Sequence, residues 1–132
     1  MDLPKNEKTF YFKTVGTTTG KEYEGEFTVV CALNMLLRRA IEVEKSRLQA
    51  DIRNPTDSLM GLSTVLANLR HRIINAPSWW KESGGGFSLI DDNICIELFD
   101  KVMEQEEIWR EELKKKAEPK DKDLGEKNTE RK

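Results

Sequence analysis

The sequence predicts an α+β protein: an N-terminal β-hairpin, then a three-helix body, then a disordered charged tail. Three observations carry that class. Apolar and polar residues alternate with a period of two between residues 9 and 30. From about Leu33 the apolar spacing becomes that of a helix, and after Pro119 apolar residues almost vanish. A chain of 132 residues suits one domain. The expected organisation is a flexible N-terminus at 1–8, a single α+β domain at 9–117 and a disordered charged tail at 118–132.

The strands come first. Phe10 and Phe12 alternate with Tyr11 and Lys13, which places a strand at 9–14. Tyr23, Gly25, Phe27 and Val29 alternate with Glu22, Glu24, Glu26 and Thr28, which places a second at 22–30 with one wet face. Val15 to Lys21 supplies the connection. Gly25 interrupts the second strand and points to a bulge or a close backbone approach. A two-stranded hairpin is marginal alone, so it must pack on helices, pair with another subunit or join a partner's sheet.

Leu33, Leu36, Leu37, Ala40, Ile41, Glu44 and Leu48 then recur at helical spacing, and residues 54–56 stop that helix. Thr56 or Asp57 can cap the next one. It carries a narrow seam of Leu59, Leu62, Leu66, Leu69 and Ile73, with Pro77 as its expected end. Asp91 or Asp92 is placed to cap a third helix. Its stripe of Ile94, Leu98, Val102 and Trp109 is widened by Cys95, Phe99 and Met103, and its glutamates read as a solvated face. Lys114, Lys115 and Lys116 suit the negative end of its dipole.

Composition bounds the function classes. The net charge is −2, and residues 114–132 are mildly basic while the body is mildly acidic. Neither balance is the clustered basic face that nucleic acid requires. Cys31 and Cys95 fall in apolar segments and read as buried free thiols. The N-terminus has no apolar signal region and no run reaches the length of a membrane span, so a soluble protein of a reducing cytoplasm is expected.

Chemical motifs fail on inspection. Gly16 to Lys21 looks like a phosphate loop, but three residues separate its glycines where four are needed, and Glu22 stands where a magnesium-binding Ser or Thr belongs. His71 is the single histidine, and with Cys31 and Cys95 it makes a zinc set one ligand short. Asp91, Asp92 and Asn93 lack EF-hand spacing. No nucleophile motif is present. The reading is therefore non-enzymatic, with no cofactor and no metal.

The most distinctive stretch is residues 75–93. Trp79 and Trp80 stand side by side between Pro77 and the glycines at 84–86. Adjacent side chains point in different directions, so one ring is expected to close the core and the other to contact a partner. Trp79, Trp80, Phe87 and Tyr11 are the candidate protein-binding residues.

These segments resemble a group of small proteins of tailed bacteriophages. The resemblance runs over residues 20–118. It rests on the Tyr-x-Gly-x-Phe strand at Tyr23, the Pro-x-Trp-Trp corner at Pro77, and the Asp-x-Asn start of the last helix at Asp91. Such proteins are encoded among head and tail structural genes, and the short β element, helical body and polar tail are similar in outline to tail assembly chaperones. The resemblance implies a protein that binds other virion proteins during particle assembly, with a tail assembly chaperone as the leading role. The alternatives are a structural virion component (a head or connector accessory) and a host-directed inhibitor. Implied partners are phage structural proteins, with a homo-oligomer as a further arrangement, and neither membrane nor nucleic acid. The implied location is the host cytoplasm or the virion.

Overall fold

The computed structural model describes residues 5–50, 52–54 and 56–117. The elements are β1 (Glu7–Val15), β2 (Glu22–Val30), α1 (Met35–Leu48), α2 (Asp57–Arg72), β3 (Ile73–Asn75), α3 (Ser78–Glu82) and α4 (Asn93–Ala117). The α+β class and the leading hairpin stand as expected. The tail at 118–132 and residues 1–4 lie outside the described residues.

β1 and β2 pair antiparallel without a slip: Phe10 faces Phe27, Phe12 faces Gly25 and Thr14 faces Tyr23. That register puts Phe10, Phe12, Tyr23, Phe27 and Val29 on the covered side. Tyr11, Lys13, Glu22, Glu24 and Glu26 point outward and are exposed. The alternation in the sequence set this face correctly. The strand starts earlier than its apolar pattern, however. Glu7 and Lys8 belong to β1, and Lys8 ion-pairs with Glu112 of α4 at 2.8 Å.

Two elements depart from the sequence reading. α2 ends at Arg72 instead of running to Pro77. Ile73 continues the leucine spacing, yet Ile73 to Asn75 leave the helix to pair with β2 at Val29 and Thr28. Tertiary pairing overrides local periodicity there. The second departure is α3, a single short helix that carries both tryptophans and raises the helix number from three to four.

The remaining helix signals follow ordinary capping chemistry. Asn34 Oδ1 accepts from Leu37 N at 2.8 Å and opens α1 two residues after the first apolar position. Thr56 Oγ1 accepts from Leu59 N at 3.1 Å and opens α2. Asp91 does not cap α4 through its side chain, because its carboxylate turns to the hairpin.

One core gathers the sheet, α2, α4 and the tryptophan corner. It contains Phe12, Tyr23, Phe27 and Val29 from the sheet, Leu66 and Leu69 from α2, Trp80 from α3, and Ile94, Cys95, Leu98 and Val102 from α4. Gly86 lets these layers close: a Cβ there would meet Trp80 at 2.8 Å and both Cys95 and Leu66 at 3.0 Å, and its φ of 93° suits glycine. α1 packs on α2 through Ile41 and Glu44, and its outer positions Met35, Leu36 and Val43 stay exposed.

Candidate protein-binding edge

Each end of the hairpin is tied to the helices by a buried polar link. At the turn, Asp91 is fully buried. Its Oδ1 accepts from the amides of Thr18 (2.7 Å) and Thr19 (2.9 Å), and its Oδ2 from the hydroxyls of Thr19 (2.6 Å) and Tyr23 (3.2 Å). The loop that resembles a phosphate cradle thus does hold an anion, and the anion is the chain's own carboxylate. Gly16 makes room for it, since a Cβ there would lie 2.1 Å from Asp91 Oδ2. The Thr19 hydroxyl, with the amides and Tyr23 adding to it, holds the Asp91 carboxyl below its ordinary value against the opposing effect of burial. Asn93 continues the clasp: its Oδ1 accepts from Thr17 N at 3.0 Å, and its Nδ2 donates to the Val15 carbonyl at 3.2 Å.

At the other end, Arg72 is 4% exposed. It donates to the Cys31 carbonyl at 2.9 Å and the Val30 carbonyl at 3.4 Å, and pairs with Glu106 of α4 at 3.1 Å. Glu106 and Glu112 are therefore structural partners, not members of a solvated face.

Trp79 and Trp80 belong to this framework. Trp80 is 4% exposed and packs edge-on against Phe27, so of the two candidate anchors it is the ring that closes the core. Trp79 is half-buried. Its ring lies 5.0 Å from that of Tyr23, and its indole N–H donates to the Glu24 carbonyl at 2.8 Å. The two side chains diverge, as adjacency requires, but a helical turn lets both reach the same side of β2. Phe87 is exposed with Arg70 stacked on it at 4.9 Å. Tyr11 is exposed on the outer sheet face and bonds Glu24. The four residues do not converge on one site. The tryptophans pack beneath the sheet, and Tyr11 stands on its opposite face.

The open surface is instead the edge of β1. Strand order is β1-β2-β3, so β1 is outermost. Gly16 N donates to the Lys21 carbonyl at 2.8 Å and closes the ladder. Hydrogen-bonded pairs alternate in an antiparallel ladder, so Lys8, Phe10, Phe12 and Thr14 are the residues that bond to β2. Glu7, Thr9, Tyr11, Lys13 and Val15 turn their N–H and C=O groups to the edge. The Val15 carbonyl is taken by Asn93, and the Glu7 N–H donates to the Lys5 carbonyl at 2.7 Å. The outward groups of Thr9, Tyr11 and Lys13 have no hydrogen-bond partner among the described residues. Beside them runs a groove of about 360 Å³ between β1 and α4, lined by Phe12, Lys13, Glu97, Asp100, Lys101 and Glu104.

No protein-family model, curated protein or solved structure matches the chain. The edge must be read from its own chemistry. The sequence pointed to an exposed hairpin edge, but not to which edge. Glu97, Asp100 and Glu104 recur at three and four residues, a signal for one helix stripe. Only the packing of α4 beside β1 turns that stripe into a groove wall.

Cys31 and Cys95 are free and buried. Burial raises the Cys31 thiol, and burial followed by the Asp92 charge pushes Cys95 up to about 11, so both stay protonated near neutrality. His71 is part-buried, and its Nε2 faces Glu44 at 3.9 Å between α1 and α2. Among the described residues, no group of three or more His, Cys, Asp or Glu is placed to hold a metal ion. No helix among them is long and apolar enough to cross a membrane.

Proposed function

We propose that this chain is a non-enzymatic protein of a tailed bacteriophage that binds other virion proteins during particle assembly, acting as a tail assembly chaperone. The resemblance of the Tyr23 strand, the Pro77 corner and the Asp91 helix start to phage assembly proteins supports the source. The observation that carries the role is the free β1 edge, where Thr9, Tyr11 and Lys13 offer unpaired backbone groups. A chaperone must hold a partner before that partner has folded. A strand edge suits this task, because its main-chain bonds accept many sequences while neighbouring side chains add selectivity. Each such bond is worth about 0.5–1.5 kcal/mol net, so a few give a reversible hold.

The test is an inventory of partners and particles. A tagged copy expressed during infection is expected to co-purify with a phage structural protein and to be missing from purified virions. Recovery in many copies per virion would make it a structural component. Capture of a bacterial enzyme in place of a phage protein would make it a host-directed inhibitor. Capture of neither, with normal particle yield from a phage lacking the gene, would overturn the assembly role.

A further inference from the structure

We propose that the β1 edge and the groove beside α4 bind an extended, basic segment of another protein as an added strand. The proposal rests on the binding role given above and specifies its site and its ligand. Backbone geometry dictates the strand. Thr9, Tyr11 and Lys13 present N–H and C=O groups at the two-residue interval of an antiparallel or parallel neighbour. Side-chain chemistry dictates the charge. A residue of the added strand lying next to Phe12 on the covered side enters the groove, where Glu97, Asp100 and Glu104 outnumber Lys13 and Lys101. A Lys or Arg there lays its aliphatic stem along the groove and brings its cation to Asp100 and Glu104.

The outer face carries charge of both signs. Glu22, Glu24 and Glu26 form an exposed acidic row on β2, one strand away from the added segment. That separation is about 10 Å, close to one Debye length at physiological salt, and Lys13 of β1 stands between, so the groove carries the preference and the outer row adds little. Charge also decides against a second copy of this chain. Pairing β1 with itself would set two acidic grooves against each other, which costs rather than contributes.

The probe is a fluorescein-labelled peptide as long as β1, nine residues, alternating Lys and Val. A Glu-Val peptide of equal length is the control. Anisotropy titration of the full chain should show saturable binding of the Lys peptide that weakens with salt, and at least about tenfold weaker binding of the Glu peptide. NMR should show the amides of Thr9, Tyr11 and Lys13 gaining exchange protection on addition of the Lys peptide. Two variants test the site. Tyr11→Pro removes an outward N–H that the β2 ladder does not use, and should abolish binding. Asp100→Lys with Glu104→Lys leaves the edge intact and should reverse the preference between the peptides, which keeps the test valid if the proline variant fails to fold.

Equal binding of both peptides, an unchanged preference in the charge-reversed variant, or no binding of either overturns the proposal. Edge amides protected without peptide in a dimeric sample would give the edge to a second copy and also overturn it. The two readings fail separately. A phage partner still captured by the Tyr11→Pro chain sinks the edge and spares the assembly role. Selective binding of the Lys peptide with no phage partner captured does the reverse.

Discussion

The two edges of the three-stranded sheet are treated in opposite ways. Along β2, the single segment 72–80 seals the edge almost from end to end. Arg72 serves the Val30 and Cys31 carbonyls, and Ile73 and Asn75 pair with Val29 and Thr28. Pro77 lies against Gly25, where a Cβ would approach to 2.7 Å, and Trp79 caps the Glu24 carbonyl. Along β1, the described residues close only the two ends, at Glu7 and Val15, and leave the middle bare. An unprotected edge is a liability for association, and this chain covers one edge with the segment 72–80 while leaving the middle of an equally long strand open. The difference argues that the open edge is kept for use.

The largest effect is expected at the sealed edge. Arg72→Ala should destabilise the fold by about 2–4 kcal/mol, because it leaves the Cys31 carbonyl without its buried donor and leaves Glu106 with the exposed Arg110 alone. Urea denaturation measures it. A loss under about 1 kcal/mol would mean that β3 alone holds that edge, and Arg72 would drop out of the comparison.

Gly16→Ala comes next, at about 1–3 kcal/mol from overpacking against Asp91. This contact holds the hairpin turn on α4 and so fixes the bare edge beside its groove. In an Asp91→Ala background the added methyl meets empty space, and most of its cost should disappear. Independent costs in that double-mutant cycle would show that the turn is not seated on Asp91.

Acid separates this clasp from the rest of the molecule. Asp91's carboxyl is held below its ordinary value of 3.8, so the unfolded chain takes up the proton more readily than the folded one. Its contribution is complete above that value and is lost as pH falls through the lower folded value. The stability gap between the native chain and Asp91→Asn should therefore be level near neutrality and narrow below about pH 3.8. Denaturation midpoints across that range check it, and a gap that widens with acid would show that the loop does not favour the charged form.

How much of this was legible in the sequence depended on the range of the interaction. The covered face of β1 and β2 could be read from Phe10, Phe12, Tyr23 and Phe27, because strand alternation is local. The close approach at Gly25 could also be expected, since a glycine in a strand needs a reason. The role of Asp91 could not: an Asp before a helix looks like a cap, and its true partners lie more than seventy residues away in the hairpin turn. The end of α2 was hidden for the same cause, because Ile73 fits the helix period and only the neighbouring β2 edge pulls it out. The tryptophan corner was rightly marked as unusual, and of its two candidate anchors Trp80 is the ring that closes the core. Its large surface is used against Phe27 and Tyr23 of the chain itself.

The smallest predicted effect concerns the other ring, Trp79. Trp79→Phe keeps an aromatic ring against Tyr23 and Phe27 but removes the indole N–H that caps Glu24. Glu24 faces Lys13 in a pair that does not bond across the hairpin, so its carbonyl points to the β2 edge, beyond the reach of β3. The loss should be that of one hydrogen bond at a half-exposed site, about 0.5–1.5 kcal/mol, with peptide binding at the β1 edge unchanged. Both readouts are needed, because they distinguish an edge seal from a binding anchor. A small loss of stability with intact binding places Trp79 on the closed edge. Unchanged stability with lost binding would return the tryptophan to the partner's side, and the two edges would no longer differ in the way argued here.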